Sequence, residues 1–129
     1  MKILYGEHRT IEGVSQRLLD TAKRRCKKTG GKVTITRHWI EQCIQRGCEE
    51  TGLPFCIGSK GTGCVNNRAP SLDRIDSSNP DYSIENSRVV CYQVNIAKSN
   101  FSDRECLEIL SPMVHSIRMR LQTLEKNVC

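Results

Sequence analysis

Residues 71–100 read SLDRIDSSNPDYSIENSRVVCYQVNIAKSN, and the order of the short patterns inside them decides the fold. SLDRID (71–76) and SRVVC (87–91) are runs of extended character. Between them SSNPDYSIEN (77–86) holds Asn79-Pro80-Asp81, a turn signal: proline pre-sets φ, and Asn and Asp side chains bond to the backbone just beyond them. Two extended runs joined in this way predict a β-hairpin with a long loop. YQVNIAKSN (92–100) follows at once and reads as a short helix. The expected unit is therefore strand, long turn, strand, helix. It sets Asp73 on the first strand, Asn86 at the turn exit and Asn95 on the helix.

Helices are predicted on either side of this unit. Over residues 11–28, Ile11, Val14, Leu18, Ala22 and Cys26 recur at steps of three or four, with Thr10 as cap and Gly30-Gly31 as stop. The other face of that helix carries Arg17, Lys23, Arg24, Arg25, Lys27 and Lys28. A second helix is predicted over 37–46, capped by Thr36, stopped by Gly47, and facing inward through Trp39, Ile40, Cys43 and Ile44. Residues 47–70 hold five of the nine glycines and two of the four prolines, and read as a compact loop with little regular structure. Ser102 to Glu105 has the Ser-x-x-Glu form of a capping box, so a helix starts there. Pro112 is expected to break it, with Ser111-Pro112 starting a fresh helix. Leu110, Val114, Ile117, Leu121 and Leu124 then repeat at helical steps, and this terminal helix is expected to cover the core. The whole is one α+β domain of 129 residues: a basic helical lead-in (1–47), the hairpin-and-helix core (48–102) and C-terminal helices (103–129).

Composition narrows the function. With 26% charged and 37% hydrophobic residues the chain suits a soluble globule, and no apolar run nears the roughly 20 residues that cross a bilayer. No membrane association is expected, and MKILYGEHRT lacks the form of a secretory signal, so the expected location is the cytoplasm. The net charge is +6, and it is uneven: residues 1–40 carry ten basic and three acidic side chains, the remainder ten and eleven. A basic end on an otherwise balanced domain suits a polyanion, because each neutralised phosphate releases counterions. Eight cysteines (Cys26, Cys43, Cys48, Cys56, Cys64, Cys91, Cys106 and Cys129) include no Cys-x-x-Cys pair, so free thiols are expected ahead of a structural zinc site.

An Asp on a strand and an Asn on the helix packed across it can set two oxygens beside one divalent cation. Mg²⁺ takes few protein ligands and leaves its other positions to water and phosphate, the arrangement that phosphodiester cleavage uses. At these residues the sequence resembles the HNH, or ββα-metal, endonuclease superfamily. The likeness is carried by TGLPF (51–55), by PSLDRIDSSNPDYSIENSRVVCYQVNIAKSNFS (70–102) and by the lead-in TITRHWIEQCIQRGC (34–48). It is nearest to phage-associated members, whose signatures Cys-x-x-Thr-Gly-x-Pro-Phe, Ser-Leu-Asp-Arg-Ile-Asp, Asn-x-x-x-Val-Cys and Asn-x-x-Lys stand here in order.

The resemblance implies a ββα-metal core, DNA as partner and Mg²⁺ or Mn²⁺ as cofactor, in a bacterial host cytoplasm if the chain is phage-encoded. Asp73 and Asn95 match the family's metal ligands. Asn86 matches the Asn that holds the hairpin loop and completes the catalytic motif. Lys98, one turn past Asn95, is placed to touch a phosphate, and DNA is expected to be gripped by Lys23, Arg24, Arg25, Lys27 and Lys28 as well. Two departures stand out. Arg74 occupies the position where the superfamily usually has its general-base His, and a guanidinium cannot take a proton from water. It can stabilise charge on the phosphate, so Arg74 is counted with the catalytic residues in that role. Relatives of the endonuclease VII type hold zinc with four cysteines; here Cys48 and Cys91 match two of them, while Thr51 and Val94 stand where the others would be. A metal-dependent endonuclease is the first expectation. The alternatives are a DNA-binding module of this fold with weak or absent cleavage, or a phage-derived protein-binding factor.

Overall fold

The computed structural model describes residues 10–58 and 66–128 and the backbone of residues 4–5. The elements in chain order are β1 (Leu4–Tyr5), α1 (Ile11–Thr29), α2 (Arg37–Arg46), β2 (Cys56–Ile57), β3 (Pro70–Arg74), β4 (Ser87–Cys91), α3 (Tyr92–Lys98) and α4 (Asp103–Lys126). The chain divides into two compact units, residues 1–96 and 97–129. No described helix is long and apolar enough to cross a membrane.

In the first unit the caps determine where the helices begin. Thr10 and Thr36 are extended, and their hydroxyls accept from the N–H groups of Gly13 and Trp39, each at 3.1 Å. α1 ends on Gly30, whose φ of 76° is the left-handed cap conformation that glycine adopts without strain. Ile11, Val14, Ala22 and Cys26 are buried along α1 as the spacing predicts, with Leu19 more buried than Leu18. They join Ile40 and Ile44 of α2, Phe55, Ile57, and Leu72, Val89 and Val90 of the hairpin in one core.

β3 and β4 pair antiparallel from Pro70↔Cys91 to Arg74↔Ser87, which sets Asp73 directly opposite Arg88. α3 follows β4 without a connecting residue. Its first N–H groups, on Tyr92 and Gln93, donate to the carbonyls of Ala69 and Asn67, so the loop entering the hairpin caps the helix that leaves it. The long loop docks on the chain after α1: Tyr82 N–H donates to Lys32 O at 2.8 Å, and Lys32 N–H to Asp81 Oδ1 at 2.8 Å. Gly31 permits this approach, since a Cβ there would stand 2.4 Å from Pro80 O.

Residues 47–70 contain more order than expected. β2 pairs in parallel with β1, Leu4 opposite Cys56 and Tyr5 opposite Ile57. A two-residue strand shows no alternation to read, and its partner lies at the far end of the unit's sequence. The turn after α2 covers the outer edge of β4, with Glu49 N–H donating to Val89 O and Cys91 N–H to Cys48 Sγ, both at 3.2 Å. Cys64 lies outside the described residues.

In the second unit α4 starts on a complete capping box: Ser102 Oγ accepts from Glu105 N–H, and the Glu105 carboxylate accepts from Ser102 N–H. Those bonds hold the Glu105 carboxyl below the usual range. One expectation is corrected here. Pro112 does not break the helix, which runs through it as one element. Proline removes one N–H and crowds the carbonyl four residues back, and on an exposed helix of strong helix formers that carbonyl can tilt to water. α4 buries none of its own residues.

Candidate functional site

Side chains alternate across a hairpin, so Ser71, Asp73, Arg88 and Val90 share one face and Leu72, Arg74, Ser87 and Val89 the other. On the first face Asp73 is 7% exposed. A carboxylate so buried needs a counter-charge, and the residue opposite supplies it: Arg88 Nε donates to Asp73 Oδ2 at 2.9 Å. The same guanidinium pairs through Nη1 with Glu50 Oε1, from the turn after α2.

Asn95 comes to this face from α3. Its Nδ2 donates to Ser71 Oγ at 2.6 Å and lies 3.4 Å from Leu72 O. A carbonyl can only accept, which orients the amide with nitrogen toward β3 and leaves Oδ1 as the group's remaining acceptor. A carboxylate and an amide oxygen are the kinds of donor that a hard divalent cation takes. Among the described residues no group of three or more His, Cys, Asp or Glu side chains gathers to hold a metal.

Asn86 ties the loop. Its Oδ1 accepts from Asp76 N–H at 2.9 Å, and its Nδ2 lies within 3.3 Å of the carbonyls of Asp76, Asn79 and Asp81. Its backbone carbonyl accepts from Ile75 N–H at 2.9 Å, prolonging the ladder that sets the β3–β4 register. Asn86 is thus a positioning residue whose amide is spent on backbone.

Arg74 is on the opposite face from Asp73. Its Nη1 donates to Asn79 O at 3.3 Å and its guanidinium lies 5.6 Å from the centre of the Tyr82 ring. The Tyr82 hydroxyl in turn accepts from Arg25 Nη1 at 3.2 Å. One buried aromatic ring therefore joins Arg74 to the C-terminal end of α1, where Lys23, Arg24, Lys27 and Lys28 are exposed. Lys98 closes α3 three residues beyond Asn95 and is buried.

His38 is exposed on α2, with Nδ1 3.8 Å from Glu41; His115 is exposed on α4, and His8 lies outside the described residues. Burial pushes the Cys91 thiol up to about 11, helped by its neighbour Cys48, and raises Cys43. For Cys48 burial is outweighed by hydrogen bonds from Thr51 and from backbone N–H groups including that of Cys91, which hold it below the ordinary thiol range.

The residues missed by sequence reasoning are Arg88, Glu50, Ser71 and Tyr82. For Arg88 a signal existed: pairing the strands outward from Asn86 opposite Ile75 puts residue 88 across from residue 73. For Glu50 none did, since it meets Arg88 only through the tertiary fold.

No family model matches the chain, and no curated protein sequence does. Among solved structures, the rare-cutting HNH restriction endonuclease PacI, described as exhibiting an extraordinary mechanism of DNA perturbation, matches with a TM-score of 0.53 and 22% identity. The match covers 82% of this chain and 80% of that one. At that identity the likeness is one of architecture: the chain has an α+β fold, with its hairpin and helices, shared with an HNH enzyme.

Proposed function

We propose that the protein is a metal-dependent DNA endonuclease of the HNH type. The observation carrying this reading is that Asn95 of α3 bonds Ser71, on the face of the hairpin that carries Asp73, in a fold shared with an HNH restriction endonuclease. Asp73 Oδ atoms and Asn95 Oδ1 would hold Mg²⁺ or Mn²⁺, which when bound supplies positive charge to the phosphate and leaving oxygen. The protein's own residues do the rest. Arg88 aims the Asp73 carboxylate, and Asn86 keeps the loop closed so that the strands stay in register. Arg74, joined to Arg25 through Tyr82, works with Lys23, Arg24, Lys27 and Lys28 to grip phosphates, and Lys98 is assigned to the same task from its place on α3. With a guanidinium at position 74, the proton from the attacking water passes to solvent or to the departing group rather than to this side chain.

A second reading, DNA binding without cutting, is favoured by one observation: Asp73 is already paired with Arg88. One experiment separates the two. Supercoiled plasmid is incubated with the protein in Mg²⁺, Mn²⁺ or EDTA, beside Asp73→Ala, and gel retardation is run on the same samples. Nicking that needs the cation and Asp73 supports the nuclease. Retardation without nicking supports the binding module, and neither effect overturns both. Neutralising Lys23, Arg24, Arg25, Lys27 and Lys28 should weaken binding on all sequences alike. It should also flatten the salt dependence, by roughly 0.9 for each phosphate that the protein no longer neutralises.

A further inference from the structure

α4 is a helix of 24 residues that buries none of them, yet its apolar residues are strictly ordered. Leu107, Leu110, Val114, Ile117, Leu121 and Leu124 follow one another at alternating steps of three and four. A helix lying on a globular core carries a broader apolar stripe of period 3.6. Strict alternation is the 3.5-residue seam of two helices wound about each other, with Leu107, Val114 and Leu121 at a and Leu110, Ile117 and Leu124 at d. The remaining large apolar residues of the helix, Ile109, Met113 and Met119, keep no such spacing. The seam is open to solvent: Leu107 is 68% exposed, Leu121 53% and Leu124 60%.

We propose that this seam is occupied by the same helix of a second copy, in a two-stranded coiled coil. Charge complementarity points to a second copy as the partner. In a parallel pair the residue before an a position faces the residue after the following d position of the other helix. That sets Arg120 against Glu125 of the second copy, twice by symmetry, and no like charges meet. Antiparallel pairing of the same six residues in full overlap would set Arg120 against Met113 and Arg118 against Ser111 and would join Glu125 to Arg104, so self-pairing is charge-matched in either direction. Pro112 fits the same geometry. It falls at f, farthest from the seam, so its missing N–H and displaced carbonyl are turned away from the partner. Pairing does not depend on whether the chain cuts DNA.

The test is sedimentation equilibrium of the full chain under reducing conditions, from low to high micromolar concentration. The expected mass rises from one copy to two. Leu121→Asp puts an unpaired charge in the seam of each copy and should weaken association about 100-fold or more, with unchanged circular dichroism of the single chain because Leu121 is exposed. Glu125→Arg should weaken it about 5- to 10-fold in either direction of pairing. A chain that stays single at every concentration overturns the proposal, as does a dimer indifferent to Leu121→Asp or to Glu125→Arg. Arg120→Glu combined with Glu125→Arg restores association if the helices run parallel, and leaves it weak if Glu125 faces Arg104 in an antiparallel pair.

Discussion

On one face of the β3–β4 hairpin Arg88 is buried between Asp73 and Glu50; on the other, Arg74 lies across the Tyr82 ring and reaches a loop carbonyl. The two arginines sit in paired strands of one hairpin, and their surroundings give them different work. Arg88 answers a buried carboxylate, so its charge is bound up with the stability of the fold. Arg74 is half-exposed beside a run of exposed cations, so its charge is directed toward what the surface meets. A basic residue next to a candidate ligand in sequence is thus less informative than one opposite it in the ladder.

The largest way to break the comparison is Arg88→Ala. It takes from the buried Asp73 carboxylate its partner across the ladder, and removing one partner of a buried pair costs about 3–5 kcal/mol. Urea denaturation should show that cost, and Asp73→Ala added to it should recover part, since the carboxylate that Arg88 answered is then gone. A non-additivity below about 0.5 kcal/mol in that cycle would sink the pairing. Asn86→Ala comes next, at about 1–3 kcal/mol, because the Asp76 N–H and a set of loop carbonyls are left without a buried partner. Gly31→Ala should cost about 1–2 kcal/mol by pushing Pro80 O away from the chain after α1, read as a lower Tm. Smallest in stability is Arg74→Ala, at under about 1 kcal/mol for its place over the Tyr82 ring. Its effect should appear in DNA affinity instead, with the salt slope reduced by about 1. If Arg74→Ala unfolds the protein while Arg88→Ala leaves it intact, the assignment of the two faces is reversed.

Much of this is legible in the residues. Thr10, Thr36 and Ser102 announce three helices because a cap is a local bond within three or four positions, and Asn79-Pro80-Asp81 announces the loop for the same reason. Asp73 and Asn95 are singled out as candidates by motif order. What escapes is non-local. The β1–β2 pair joins two residues to two others across most of the first unit. The Glu50–Arg88 pair spans the turn after α2 and the whole of β3 and its loop. α4 escapes differently: its repeat is plain, but an apolar repeat marks a face and not the surface that covers it, and Pro112 breaks a helix only where the bend meets an obstacle.

The bond from Cys91 N–H to Cys48 Sγ also equips the molecule with a clock. Cys48 is 2% exposed and takes the Cys91 N–H bond, so a thiol reagent reaches it only when the turn after α2 lifts from β4. The rate at which a thiol reagent consumes Cys48 therefore counts the openings of the edge that also carries Glu50 to Arg88. Any ligand that tightens the Asp73 face should slow that count, and it can be read without labels, substrate or substitution.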